Sequence, residues 1–425
     1  MNGRDAALRV LIACRVNGAW SEAALKELHM DRREAALASR LCYGVQQNRL
    51  LLDYWIDGFA RGKLQPVVRD ILRLALYQLQ FLDKIPASAA VHEAVEQTKR
   101  FANPAAARTV NGILRSVLRA GALPMPQDAA LRYSHPEPLA ALLRAQYGAQ
   151  TAQRLMQSNN EITPTVLQVN TLKTDTETLK NMLSQAGAEV STHPWLPDCL
   201  EVRATGSLER LDAFAQGLFY VQDTAARLSV LAARPQAGMH VLDCCAAPGG
   251  KSFAAAIAMG NTGSLLSCDI HPHKLPLIEK GAQRLGITVL RTCLHDAAQP
   301  QPEWDGHFDL VLADVPCSGL GVIRKKPDIR YKTPDASLPR LQERILRRQA
   351  QYVRAGGVLL YSTCTVLRRE NEDVAEAFLR ACPDFEPETV QFPAGSGIPD
   401  AAMTTLLPCD HGTDGFFIAK FRRKP

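Results

Sequence analysis

At 425 residues the chain is longer than one hydrophobic core usually serves, so two or three domains are expected. Hydrophobic residues at 46% and charged residues at 22% exclude a disordered chain. No apolar run reaches the ~20 residues of a bilayer span, and the start lacks the order of a secretion signal, so a cytoplasmic protein off the membrane is expected. The net charge of +6 admits a nucleic-acid partner without requiring one. Eleven cysteines with no C-x-x-C pair exclude a disulfide framework and a zinc ribbon; reduced thiols and no metal are expected.

From Arg4 to about Ala120 the periodicity is helical, as in "VVRDILRLALYQLQFL", where Val68, Ile71, Leu72, Ala75, Leu76 and Leu79 recur at three- and four-residue steps. Five to seven helices packed as a bundle are predicted over residues 1–125. Residues 126–138, rich in proline and turn formers, read as a linker. A small α+β domain is expected over 139–235: two helices, a strand "TVLQVN", an amphipathic "TETLKNMLSQAG", and strand-like pieces near Cys199 and in "GLFYVQD". It is expected to pack on the C-terminal domain rather than stand free.

From 236 to 425 strands and helices alternate as in a doubly wound, mostly parallel sheet. The strands are placed at "HVLDCC", "SLLSCDI", "ITVLRTCL", "FDLVLADV", "GVLLYSTC" and "GFFIAKFRR", with helices beginning near Lys251, Pro272, Leu338 and Arg369. Ligands of such sheets bind at the carboxyl ends of the strands.

Those ends carry the chemistry. Cys245, Ala246, Ala247, Pro248, Gly249, Gly250 and Lys251 form a small-residue turn into a helix, where backbone can approach a ligand and the helix start favours negative charge. The glycine spacing is neither that of a dinucleotide fingerprint nor that of a P-loop. Asp269 closes the second strand where ribose hydroxyls would lie, and Asp296 follows the third, near an adenine position. Asp314, Cys317 and Cys364 stand at two further strand ends. Alone, each aspartate would more often be a solvated carboxylate and each cysteine a buried plug. The positive end of a helix beginning near Arg369 would favour a thiolate at Cys364.

"DCCAAPGGKS", "DVPCSG" and "YSTCT", in that order, resemble motifs of the S-adenosylmethionine-dependent RNA cytosine-5 methyltransferases, the NOL1/NOP2/Sun family. "YVQDTAARL" and "DGFFIAKF" extend the likeness over about Leu139 to Lys424. "ILRLALYQL", "VHEAVEQTKRF" and "VNGILRSVLR" are similar to NusB, which points to a branch acting on 16S rRNA. The resemblance implies a multidomain chain: an all-α NusB-like bundle, a small α+β domain, and an α/β Rossmann-like catalytic domain that binds S-adenosyl-L-methionine.

It further implies attack by Cys364 on carbon 6 of cytosine, product release assisted by Cys317, a cytosine contact from Asp314, and support from Lys251. In DNA cytosine-5 methyltransferases the cysteine after proline attacks instead, which would have selected Cys317. The implied cofactor residues are Cys245 to Lys251, Asp269, Asp296 and Asp314. The implied target is cytosine 967 of 16S rRNA, met by a monomer as naked or early-assembly RNA.

Beside such a site the run "GVIRKKPDIRYK" reads as phosphate contacts from Arg324, Lys325, Lys326, Arg330 and Lys332. Lys99, Arg100, Arg108, Arg115 and Arg119 form the candidate basic face of the bundle. Two departures from the family pattern stand out: Gln168 where an arginine is usual, and Glu137-Pro138 where a tryptophan is common. Two other readings remain open: an RNA-binding assembly factor with a silent catalytic domain, and a cytosine-5 methyltransferase for tRNA or another rRNA site.

Overall fold

The computed structural model describes residues 1–203 and 208–425. The chain divides into two compact units, Met1–Glu161 with Ile323–Thr333, and Ile162–Val322 with Pro334–Pro425.

The first unit is helical: α1 (Gly3–Asn17), α2 (Ser21–Lys26), α3 (Arg32–Phe59), α4 (Pro66–Phe81), α5 (Ala87–Phe101), α6 (Pro104–Ala120), α7 (Ala129–Arg132) and α8 (Glu137–Ser158). Asn2, Asp31 and Asn103 cap α1, α3 and α6 by accepting from backbone N–H groups of the first turn. Leu8, Leu41, Leu52, Ile56 and Ile71 fill the core. Gly44 lets Tyr77 lie against α3, since a Cβ there would stand 1.9 Å from the phenol ring.

The stretch read as a linker is a packed corner: Ser134 and His135 are fully buried, and burial pulls the His135 pKa well below the usual imidazole range. Helix α8 lies in this unit, and its two halves meet at Gly148 with φ +76°.

The second unit opens with a small antiparallel sheet in the order β2-β3-β1-β4, made of β1 (Thr165–Val169), β2 (Glu189–Thr192), β3 (Cys199–Arg203) and β4 (Phe219–Val221). α9 (Thr176–Gln185) covers it, and the four-residue α10 (Asp212–Ala215) leads into β4. α11 (Thr224–Ala233) then leads to β5 (His240–Asp243), α12 (Gly250–Ala258), β6 (Ser264–Asp269), α13 (Leu275–Leu285), β7 (Leu290–Leu294) and β8 (Phe308–Asp314). α14 (Leu338–Tyr352), β9 (Val353–Thr363), α15 (Glu372–Ala381), β10 (Phe385–Pro387), β11 (Met403–Leu406), α16 (Pro408–His411) and β12 (Phe416–Arg423) complete it.

The large sheet runs β10-β12-β9-β8-β5-β6-β7, with β11 on β12. β5 to β9 are parallel and β12 joins antiparallel. The short β10 and β11 were not legible as strands.

The small domain packs on α13. The buried Asn170 amide donates to Gly217 O and Leu285 O, both at 2.8 Å, and a Cβ on Gly217 would strike Arg284 O at 1.9 Å. Gln168 is buried in the small sheet itself, donating to Gln222 O and accepting from the Cys199 thiol of the neighbouring strand, so its departure from arginine bears on packing and not on a surface that meets RNA.

Candidate active site

Strand order reverses at β5, which has β6 on one side and β8 on the other, so the crevice lies at the carboxyl ends of β5, β8 and β9. Beyond β5 the chain turns through Cys245 to Gly249 into α12. Gly249 has φ +112°, where a Cβ would be strained and would stand 2.4 Å from the Phe253 ring. Beneath this turn Asp243 is fully buried and accepts from Ser252 Oγ at 2.7 Å; Ser252 also meets Ser267 Oγ at 2.8 Å. Burial outweighs the Ser252 bond and pushes the Asp243 carboxyl up to about 6.

Asp269 ends β6, with Oδ1 accepting from His271 N at 2.9 Å, and its neighbour Ile270 is 54% exposed. Asp296 lies past β7, half-buried, accepting from Ala298 N.

At the ends of β8 and β9 four predicted residues come together. Lys251 Nζ donates to Asp314 Oδ2 at 2.7 Å, and Ser362 Oγ donates to Asp314 Oδ1 at 2.8 Å. Burial opposes the Lys251 charge, yet Asp314, with Asp243 and Cys364 adding to it, holds the Lys251 pKa above the usual lysine value. The ammonium also lies 5.1 Å from the centre of the Phe416 ring. Cys317 Sγ and Cys364 Sγ are 3.2 Å apart. The bond to Cys364 and burial together raise the Cys317 thiol well above its ordinary pKa.

Residues that sequence reasoning missed hold the two cysteine loops. Glu370 is fully buried, and its Oε2 accepts from Ser318 N at 2.8 Å and from Gln342 Nε2 at 3.1 Å. Ser318 Oγ meets Thr365 Oγ1 at 2.8 Å. Gly321 N donates to Cys364 O and Gly321 O accepts from Gly415 N, and a Cβ on Gly321 would sit 1.8 Å from Gly415 O. The glycine directly before the apolar "FFIAKF" run was a readable signal. Glu370, in a charged "RREN" stretch, looked like surface. The helix expected near Arg369 begins as a 3-10 turn over Arg368–Glu370 and continues as α15 from Glu372.

The basic run after Cys317 requires a correction. Residues Ile323–Thr333 belong to the first unit, where Arg330 is 2% exposed. Its Nη1 donates to Gln47 O, Tyr133 O, Ser134 O and Asn160 Oδ1 at 2.9–3.3 Å, and Nη2 to Asn159 O at 3.4 Å. A guanidinium committed to carbonyls inside a core cannot bind phosphate. Lys332 donates to Gly18 O over the Trp20 ring, and Lys326 lies 3.9 Å from Glu22. Arg324 and Lys325 stand on the same segment.

On the bundle, Lys99 pairs with Glu96 and Arg100 with Asp5, while Arg108, Arg115 and Arg119 are exposed on α6. Among the described residues no cluster of three or more His, Cys, Asp or Glu could hold a metal, and no helix is long and apolar enough to cross a membrane.

A doubly wound sheet with a glycine turn, acidic strand ends and a cysteine pair beside a Lys–Asp pair is the architecture of a Rossmann-like methyltransferase domain. The family model described as 16S rRNA methyltransferase RsmB/F matches residues 230–422, the NusB family matches 1–119, and the RsmF/B-like ferredoxin-like domain matches 135–209. A Bacillus subtilis (strain 168) protein named "Probable ribosomal RNA small subunit methyltransferase B" is 38% identical over 99% of this chain and 98% of its own. The crystal structure of PH0851 superposes with a TM-score of 0.80 at 25% identity, covering 99% of this chain and 98% of that one. That of NSun6 from Pyrococcus horikoshii with SFG gives 0.61 at 22% identity, over 68% and 98%. The chain belongs to the ribosomal RNA small subunit methyltransferase B family.

Proposed function

We propose that the chain methylates carbon 5 of a cytosine in 16S rRNA, cytosine 967, through a covalent bond from Cys364 Sγ to carbon 6. The observation that carries this is the 3.2 Å approach of the Cys317 and Cys364 sulfurs, beside the Lys251–Asp314 pair. Carbon 5 of cytosine is a weak nucleophile. Addition of the Cys364 thiolate to carbon 6 forms the S–C6 bond and moves electron density onto carbon 5. Lys251, held as an ammonium, faces the negative charge that develops on the ring, and Asp314 has lone pairs left to accept from the cytosine amino group.

S-adenosylmethionine, when bound, supplies the methyl group. The turn Cys245–Lys251 at the α12 N-terminus fits its methionine part, Asp269 its ribose hydroxyls, Asp296 the adenine side, and Asp314 the border with the base. Gly249 and the exposed Ile270 favour this fit: one opens backbone to a ligand, the other offers an apolar face for a ring. After transfer a water molecule takes the carbon-5 proton, the C–H electron pair restores the C5=C6 double bond, and the S–C6 bond breaks with its electron pair returning to sulfur. Cys317 S–H then hydrogen-bonds the departing thiolate, which eases release. The cytosine must leave any stack to reach Cys364.

Bisulfite sequencing of 16S rRNA from cells with and without the protein tests the proposal. Loss of 5-methylcytosine at one position is expected; an unchanged map overturns the substrate.

A further inference from the structure

The second unit carries a basic groove that the reaction does not use. Helix α14 buries Gln342, Ile345, Leu346, Gln349 and Ala350. Its opposite face presents Arg340, Arg344, Arg347 and Arg348 around a groove of about 450 Å3, rimmed also by Glu343 and Gln351 and floored by Ala298. Four guanidinium groups against one carboxylate leave a local charge of +3, half of the +6 carried by the whole chain.

Helix physics argues against an ordinary solvated face. Such a face mixes signs at i,i+4, whereas Arg340–Arg344 and Arg344–Arg348 are like-charge neighbours that oppose the helix. Arg340 also sits in the first turn, at the positive end of the helix dipole. Arg347 is paired with Glu343 in a half-exposed bridge, a weak interaction that an incoming anion can replace, and Arg348 donates to Gln351. Arg340 and Arg344 have no ion-pair partner among the described residues. All four are arginines, whose planar fork matches phosphate oxygens. At 1.5 Å rise per residue, Arg340 to Arg348 spans about 12 Å, a line of charge and not a single-anion pocket.

We propose that this α14 groove binds the phosphodiester backbone of the RNA substrate, outside the site that holds the target base. The inference rests on the reading that RNA is the substrate. The test uses the full chain and a 16S rRNA fragment, with affinity measured by fluorescence anisotropy over a salt series. Replacing two phosphate contacts in R340Q/R344Q lowers the slope of log K against log[salt] by about 1.4 to 1.8 and weakens binding at low salt. R340K/R344K, which keeps the charge, retains most of the slope.

An unchanged slope and affinity in R340Q/R344Q, with an unchanged thermal melt, overturns the groove. Cys364→Ala, run in parallel, keeps the full slope while transferring no methyl. Failure of the chemical reading therefore shows in methyl transfer, and failure of the groove in the salt slope.

Discussion

Replacing Arg330 by methionine separates two roles for one cation. Met keeps most of the side-chain volume and removes five donor contacts. Helix α3 is broken at Asn48, with φ −114° and ψ 17°, and there Leu51 N–H donates to Ser134 Oγ while Gln47 O accepts from Arg330. Tyr133 O keeps the Asn160 Nδ2 donor, Ser134 O keeps the Tyr331 hydroxyl and the half-buried Asn160 Oδ1 can turn to water, whereas Gln47 O and Asn159 O lose theirs. Two carbonyls left short of a donor cost ~1–3 kcal/mol each. Burial, only partly opposed by Tyr331, holds the Arg330 pKa at about 10, and this penalty on the charge vanishes in the variant. The lower end therefore applies, about 2 kcal/mol, or a fall of ~4–8 °C in the melting temperature of a unit of this size.

Calorimetry of the full chain reads the shift, and the salt series used for α14 reads the RNA contact. R330M melting at or above wild type refutes the bonding argument, and a salt slope smaller by about 1 would restore Arg330 as a phosphate contact.

Three further outcomes are expected. Asp243, with a folded pKa near 6 against an ordinary value of 3.8, destabilises the native state once pH exceeds both values. D243N therefore gains on wild type by up to roughly 3 kcal/mol between pH 4 and pH 7, the sign being checked by urea melts at both pH values. Cys364→Ala abolishes methyl transfer, whereas Cys317→Ala accumulates a protein–RNA adduct that survives denaturing electrophoresis; an adduct with Cys364→Ala alone reverses the roles. Gly321→Ala forces its Cβ onto Gly415 O and shifts both cysteine loops, so transfer falls at least tenfold, checked by single-turnover methylation.

Much of the fold was legible because each element carries its own period. The i, i+3, i+4 pattern of α4 and the apolar runs of β5, β6, β8 and β9 sit where they were placed, within a few residues. Asp314, Cys317, Cys364 and Lys251 were singled out because they stand at strand ends inside contiguous motifs. Glu370, Gly415 and Asp243 were not, since their work is done on residues distant in sequence or beneath the surface.

Local pattern by itself determined the helical, α+β and doubly wound parts, the strand ends that carry reactive groups, and the glycine turn. Only the tertiary structure decided that Arg330 serves a core, that the linker is a packed corner, that Gln168 is buried against the neighbouring strand, and that α14 gathers four arginines around one groove. Charge is written in the sequence one residue at a time. Whether a cation meets solvent or a carbonyl depends on which segments the fold brings beside it, and Ile323–Thr333 packs among helices that lie nearly three hundred residues earlier.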